Sequence, residues 1–126
     1  MILQYLSALA RFGHMYTSGH LKEMQLTESQ AHAILHLHYQ KHCNQNDLSD
    51  FLMVDKSTVT KTLAKLEEKG YIRRAANANN RRENIITLTD LGETMVQKIN
   101  TVAQTWTSQL LQNLTAEEKQ MITPSV

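Results

Sequence analysis

The stretch "DKSTVTKTLAKLEEKG", residues 55–70, decides how the chain folds. Apolar Val59, Leu63 and Leu66 recur at spacings of four and three residues, which predicts an amphipathic helix with one buried stripe. Gly70 can end this helix, because glycine is common just after the last helical residue. The stretch therefore predicts a helix that packs one face against neighbouring elements and leaves the other face free.

The opposite face of this helix is polar, and either Asp55 or Ser57 can cap its start. At about 100° per residue, the positions that point away from the apolar stripe are Ser57, Lys61, Ala64, Lys65 and Glu68, with Thr58 and Thr60 beside them. Most lysine-rich helices of this kind are simply solvated. Taken alone, the stretch favours a solvated helix over a binding surface.

Helical patterns also precede this stretch. Residues 2–22 predict a helix with apolar residues on more than one side. A capping box at residues 27–30 opens a second helix, which extends to about residue 42. Asn44 can cap a third, short helix that ends at the turn formed by residues 53–54. We therefore expect three helices before the central one.

After the central helix the apolar period changes. The segments "YIRRA" (71–75) and "NIITL" (84–88) predict two short strands, joined by an exposed hairpin loop rich in Asn and Arg. Thr89 can cap a long helix whose apolar positions approximate a coiled-coil seam, namely Leu91, Met95, Ile99, Val102, Trp106 and Leu110. A second capping box, at residues 115–118, opens a last helix.

Composition places the chain among soluble globular proteins. Its 126 residues are 41% hydrophobic and 20% charged, and they include one cysteine, which cannot form an internal disulfide. With no apolar run long enough for a membrane span and no signal-peptide pattern, we expect a cytoplasmic protein that does not bind membranes. We find no Gly-rich phosphate loop and no nucleophile elbow, so an enzyme is not expected.

The charge is unevenly distributed. Residues 55–82 contain eight Lys and Arg against three Asp and Glu, which leaves +5 in a chain whose net charge is +1. The remainder of the chain therefore carries −4. A basic segment inside a mildly acidic protein is typical of a polyanion-binding site.

The order of elements predicts a winged helix-turn-helix. A short helix, a tight turn and a helix with a polar outer face form the helix-turn-helix, and the hairpin forms the wing. Ser49 is small where the two helices should cross, and Val59 is apolar inside the second helix. Met53 occupies a turn position that is usually glycine.

From Leu26 through Gly92 the chain resembles the MarR family of bacterial transcriptional regulators. The resemblance rests on "LTESQ" at 26–30, "NQNDLSDFLMVDKSTVTKTLAKLEEKGYIRR" at 44–74 and "NRRENIITLTDLG" at 80–92. It implies a mainly α fold with a small β-hairpin wing, in a single MarR-like domain over residues 1–126. The winged helix-turn-helix would span about 27–92, flanked by N- and C-terminal dimerisation helices at about 2–22 and 89–123.

This resemblance implies a homodimer that binds sequence-specifically to double-stranded operator DNA and acts as a repressor responsive to a small-molecule effector. The expected DNA-binding residues are Ser57, Thr58, Thr60, Lys61, Lys65, Arg81 and Arg82. Lysines can neutralise phosphates, and short hydroxyls suit base edges or the backbone. By resemblance, Arg82 would reach the minor groove. Asn80 stands where the family has Asp, so it can hydrogen-bond Arg82 but cannot form an ion pair with it.

Two alternatives remain open at this level. The winged helix could instead bind a protein through the same face, although arginines at a hairpin tip suit a nucleic-acid groove better. His32, His36, Tyr39 and Cys43 share an arc of the second helix, and the two histidines with the thiolate could hold Zn²⁺ in a zinc- or redox-sensing regulator. Because no fourth ligand is visible, we expect no metal and no cofactor.

Overall fold

The computed structural model describes residues 2–41, 43–112 and 114–122, without the side chains at 5, 77, 80–83, 121 and 122. The elements follow one another as α1 (Ile2–Glu23), α2 (Glu28–Tyr39), α3 (Gln45–Leu52), α4 (Lys56–Glu68), β1 (Ile72–Asn77), β2 (Asn80–Leu88), α5 (Asp90–Gln112) and α6 (Ala116–Ile122). The predicted fold class, mainly α with a hairpin wing after a helix-turn-helix, is confirmed. Within the described residues, no helix combines the length and the apolar character needed to cross a membrane.

The predicted apolar stripe anchors α4 in the core. Val59, Leu63 and Leu66 are fully buried. They belong to one apolar cluster with Ile34 of α2 and Leu48 of α3. Burial of each Val or Leu side chain stabilises a fold by about 1.5–3 kcal/mol. The stripe therefore holds α4 against α2 and α3 and leaves its polar face in solvent.

Side chains cap the helix starts and fix where each helix begins. Thr27 and Gln30 form the predicted capping box of α2, each accepting the other's backbone N–H at 3.2 Å. Asn44 caps α3 as predicted. Of the two candidates at α4, Asp55 is the cap, because its Oδ1 accepts the backbone N–H of Thr58 at 2.7 Å.

The second helix ends earlier than predicted. It stops at Tyr39 rather than about residue 42, which itself lies outside the described residues. Gln40 has an extended backbone, and the carbonyl of Cys43 accepts a hydrogen bond from the N–H of Ile86 at 2.8 Å. The segment before α3 thus pairs with β2 through an isolated bridge. Such pairing requires extended backbone, which ends the helix.

The turn between α3 and α4 is closed by Ser49. Its hydroxyl donates to the carbonyl of Val54 at 2.8 Å, and its own carbonyl accepts the N–H of Val54 at 3.4 Å. Met53 adopts the left-handed conformation, with φ 56° and ψ 39°, and its side chain is exposed. The turn expected for a helix-turn-helix therefore forms even though glycine is absent.

The wing is a two-stranded antiparallel hairpin. Regular pairing runs from Ile72 with Leu88 to Ala76 with Asn84, which includes most of the two predicted strands. Beyond Ala76 the register shifts and Asn77 pairs with Asn80. Residues 81–83 consequently lie in the irregular part of β2, next to the hairpin turn.

Thr89 and Gly92 join the base of the wing to α5. The N–H of Thr89 donates to the carbonyl of Tyr71 at 3.0 Å, and its hydroxyl donates to the carbonyl of Gly70 at 2.5 Å. The same hydroxyl accepts the N–H of Gly92 at 3.1 Å, which confirms Thr89 as a cap. A Cβ at Gly92 would lie only 2.2 Å from the Tyr71 carbonyl oxygen, so this contact requires glycine.

The apolar seam of α5 is partly used inside the chain. Met95 and Ile99 are buried in the core. Trp106 packs on α1, where its Nε1 lies 3.3 Å from the position of a Cβ on Gly13. The large apolar side chains that remain exposed on α1 are Ile2, Leu3, Leu6, Phe12 and Met15. The unpartnered apolar surface is therefore on α1 more than on the α5 seam.

Replacing Met53 with glycine should stabilise the fold. A left-handed backbone costs a non-glycine residue about 1–2 kcal/mol, and the greater freedom of glycine in the unfolded chain offsets about 0.5–1 kcal/mol of that gain. We expect the free energy of unfolding, measured by urea denaturation, to rise by roughly 0.5–1 kcal/mol. Met53→Ala is the matched control, because it removes the exposed side chain but keeps the Cβ. Equal effects of the two substitutions would contradict the backbone explanation.

Candidate nucleic-acid interface

The polar face of α4 presents three predicted DNA-binding side chains to solvent. Ser57, Lys61 and Lys65 are all exposed. Lys65 lies 3.6 Å from the carboxylate of Glu68, one turn further along, so its charge is partly balanced. Lys61 forms no salt bridge with any described residue, which leaves its charge more available to an anion than that of Lys65.

Burial and internal hydrogen bonds limit the availability of the two predicted threonines, Thr58 and Thr60, to DNA. The backbone N–H of Thr58 is used in capping by Asp55, and its side chain is half-buried. The hydroxyl of Thr60 donates to the carbonyl of Lys56 at 2.8 Å and accepts a hydrogen bond from Nε2 of Gln45 at 2.7 Å. Thr60 thus has its only hydroxyl hydrogen occupied within the protein.

Asp55 places a carboxylate at the start of this face. The backbone N–H of Thr58, and to a smaller extent its hydroxyl and Lys61, hold the pKa of Asp55 below its ordinary value. The cap therefore stays ionised at neutral pH. A negative charge at a helix N-terminus stabilises the helix. Asp55 therefore fixes the start of α4, and Lys56 and Ser57 follow it in the first turn.

Not all the basic residues of the 55–82 segment point to one surface. Nζ of Lys69 donates to the carbonyl of Gln25 and lies 3.2 Å from Oε1 of Gln30, so this lysine ties the end of α4 to the α1–α2 turn. Nε of Arg74 lies 3.5 Å from the carboxylate of Glu67. Sequence counting alone included both cations in a binding patch, whereas their contacts are internal.

The cations that remain available are fewer and lie on α4 and the wing. Lys56, Lys61 and Arg73 are exposed and make no salt bridge within the part of the chain that the structure describes. The side chains of Asn80, Arg81 and Arg82 lie outside the described residues, so the predicted wing-tip contacts are located only by their backbone in β2.

The histidine cluster does not converge on a site. Among the described residues, no three His, Cys, Asp or Glu side chains are arranged to hold a metal ion. His32 is exposed, and His36 stacks on Phe51 with ring centroids 4.0 Å apart. His38 instead bridges helices, with its Nδ1 2.7 Å from the Glu93 carboxylate. His36 and His38 therefore pack or pair within the protein, while His32 faces solvent.

Cys43 is buried and structurally constrained. Its side chain is about 1% exposed, and its Sγ donates to the carbonyl of Asn44 at 3.4 Å. Burial, with a smaller contribution from the Asp47 carboxylate, raises the pKa of the Cys43 thiol to about 11. A protonated thiol is a poor nucleophile and a poor metal ligand, which counts against both the redox and the zinc hypotheses.

Gln45 is the site residue that sequence reasoning missed. Its contact with Thr60 joins positions 15 residues apart in the chain, on two different helices. No periodic pattern signals such a pair, because it depends on how α3 crosses α4. The only sequence signal is that Gln45 is polar and follows the cap residue Asn44.

Comparisons with known proteins agree with this architecture. A model of the MarR family matches residues 26–84. The HTH-type transcriptional regulator BilQ of Clostridioides difficile is 30% identical over 92 residues, which cover 73% of this chain and 62% of BilQ. The chain spans 62% and 59% of the lengths of two curated relatives that it matches.

Solved structures share the whole fold. A crystal structure of MarR is 30% identical, with a TM-score of 0.81, and the match covers 96% of this chain and 88% of that one. A MarR mutant from E. coli complexed with operator DNA is 22% identical, with a TM-score of 0.79, and the match covers 94% of this chain and 86% of that one. The latter likeness establishes the fold alone.

The thiol of Cys43 should resist alkylation until the pH is high. The rate of its reaction with iodoacetamide follows the thiolate fraction. The midpoint of this rate against pH should therefore lie at about 11 in the native protein and at about 9.0 in urea. Because the folded state holds this proton more tightly, the associated stability is fully present below pH 9.0 and is lost as the pH rises through 11. With one cysteine in the chain, the loss of free thiol reports on Cys43 alone. A native midpoint near that of the unfolded chain would contradict burial of the thiol.

Proposed function

Because the chain belongs to the MarR family, we propose that it is a transcriptional regulator that binds double-stranded operator DNA. The observation that carries this proposal is α4, whose apolar stripe is buried while Ser57 and Lys61 remain exposed beside the wing. In a helix-turn-helix the second helix enters the major groove with its N-terminal residues leading. Here those residues include Lys56 and Ser57, immediately after the cap.

The proposed DNA contacts of α4 are of two chemical kinds, charged and hydroxyl. Lys61 and Lys65 neutralise phosphates, while Ser57 and the partly buried Thr58 supply short hydroxyls to the groove or the backbone. Arg82, with Arg81 nearby, extends the contact to the minor groove, where a narrow groove concentrates negative potential. The structure does not describe these two side chains, so their role rests on the family resemblance and on the position of their backbone in β2.

A protein-binding role for the same face is the second candidate. Phe51 and Met53 are exposed next to the turn that precedes α4, and exposed apolar side chains favour protein contacts. The salt dependence of binding separates the two, because only DNA binding releases counterions from phosphates. The exposed cations Lys56, Lys61 and Arg73 favour DNA.

The regulator acts as a homodimer in this proposal, with the winged helix at about 27–92 in one domain over residues 1–126. The support is the apolar surface of α1, where Leu3, Phe12 and Met15 are each more than half exposed. A large exposed apolar patch usually marks a protein–protein contact, and a second copy of α1 would cover this one. Two winged helices related by a two-fold axis then match a pseudo-palindromic operator.

A recess between α2 and α5 is the site that we propose for a small-molecule effector. A surface recess of about 550 Å³ lies there, lined by Tyr39, Asn100, Ala103, Gln104, Thr107 and Ser108. Since α5 is joined to the wing through Thr89 and Gly92, a ligand that shifts α5 would also shift the wing. We propose on this basis that the DNA affinity responds to such a ligand, and from the family resemblance that the regulator is a repressor.

Lys61→Ala should weaken DNA binding through the loss of one phosphate contact in each protomer. We expect similar losses on the DNA upstream of the protein's own gene and on a scrambled duplex, with the salt slope reduced by about 1 for each protomer of the dimer. Fluorescence anisotropy at several salt concentrations measures both quantities. Lys98→Ala removes the same charge from an exposed site on α5 and serves as the matched control. Unchanged affinity and slope for Lys61→Ala would exclude this face from the DNA contact.

Light scattering should give a mass twice the 14.4 kDa of one chain at micromolar concentration. Phe12→Glu should shift the population toward monomer, because it places a charge on the exposed apolar surface of α1. Asn46→Glu adds the same charge at an exposed site on α3 and should leave the dimer intact. A wild-type protein that stays monomeric would rule out the dimer.

A further inference from the structure

We propose that Gln45 contacts the DNA backbone and that Thr60 is the positioning residue that orients it. This inference rests on the proposed function and refines it. It changes the role predicted for Thr60, from a residue that meets DNA through its own hydroxyl to one that acts through a neighbour. It also adds a contact from α3, the first helix of the helix-turn-helix.

The hydrogen bonds fix the orientation of the Gln45 amide. The single hydroxyl hydrogen of Thr60 is donated to the carbonyl of Lys56 at 2.8 Å. Thr60 can therefore only accept from Gln45, and the atom at 2.7 Å must be the amide nitrogen. This leaves Gln45 with one free N–H and with its carbonyl oxygen, because no other hydrogen bond of this side chain occurs among the described residues.

The position of this amide decides which part of DNA it meets. Gln45 is the first residue of α3 and is partly exposed. Thr60 lies about 60° around α4 from Ser57, so it stands at the edge of the polar face that is nearer to α3. In a helix-turn-helix the first helix crosses the sugar-phosphate backbone while the second occupies the groove. The free N–H of Gln45 is thus placed to donate to a phosphate oxygen.

The pairing with Thr60 lowers the cost of that contact. A free glutamine side chain loses up to about 2 kcal/mol of rotamer freedom when it is fixed. In this protein the bond to Thr60 fixes the amide before DNA arrives. The same bond joins the start of α3 to the second turn of α4, so a phosphate held by Gln45 also fixes the angle at which α4 enters the groove.

Titrations of the upstream duplex and a scrambled duplex of equal length test this assignment. Gln45→Ala should weaken binding to both by about tenfold for each protomer of the dimer, the loss expected for one hydrogen bond to a charged group per protomer. The salt slope should stay unchanged, because glutamine carries no charge. Thr60→Val should cause a similar loss, and Thr60→Ser, which keeps the hydroxyl, should restore binding to within about twofold of wild type.

The double variant Gln45→Ala/Thr60→Val separates positioning from direct contact. If Thr60 acts only through Gln45, the double variant should bind as well as Gln45→Ala alone, within about twofold. Thr101→Val is the matched control, since the hydroxyl of Thr101 makes the same kind of bond to the carbonyl four residues before it, on α5. That variant should bind like wild type.

Four results would overturn the inference. Wild-type affinity in Gln45→Ala would remove the proposed phosphate contact. Additive losses in the double variant would show that Thr60 contacts DNA independently of Gln45. A loss for Thr60→Val confined to the upstream duplex would show that Thr60 contacts a base itself. A wild-type protein that binds neither duplex would overturn the proposed function, and the inference with it, whereas the first three results leave DNA binding intact.

Discussion

The turn that Ser49 closes after α3, and the crossing of α3 and α4 that follows from it, is the constraint on which the proposed DNA-binding surface depends. The carbonyl and hydroxyl of Ser49 both bond to Val54, so the chain reverses within three residues of the end of α3. The reversal requires a left-handed residue, and Met53 supplies it at the cost of backbone strain. Only with this turn in place can Val59 reach the core while Lys61 points to solvent. The contact between Gln45 and Thr60 follows from the same crossing.

A second constraint is the junction at which the segment after α4 contacts the end of the wing and the start of α5. The carbonyl of Tyr71 accepts the N–H of Thr89, and Gly92 lies against that carbonyl without room for a Cβ. Helix, wing and long C-terminal helix thus meet within a few ångströms. A displacement of α5 at this junction would press on the hydrogen-bonded Tyr71 carbonyl and so on the start of the wing, because the packing there is close. The junction gives the proposed effector response a physical route.

The positive charge available to DNA depends on where the basic side chains lie more than on the net charge of the segment. The basic segment contains Lys69 and Arg74, but these cations join α4 to the α1–α2 turn and to Glu67. A lysine or arginine engaged in such contacts offers less to a phosphate than a free one. The surface proposed to meet DNA is therefore narrower than the charge count indicates, and it centres on Lys61, with Lys56 and Arg73 beside it.

The sequence by itself determined the helices, the hairpin and the buried stripe, because spacing, capping residues and glycine act over one or two turns. Val59, Leu63 and Leu66 are buried and Thr89 caps α5, as their local patterns predict. Tertiary structure alone decided the early end of α2, through the pairing of Cys43 with Ile86. It also decided that Thr60 is held by Gln45 and that Lys69 turns inward. Each of these contacts joins residues more than ten positions apart. Periodicity carries no information about such pairs, since they form only once the core has fixed how the helices cross.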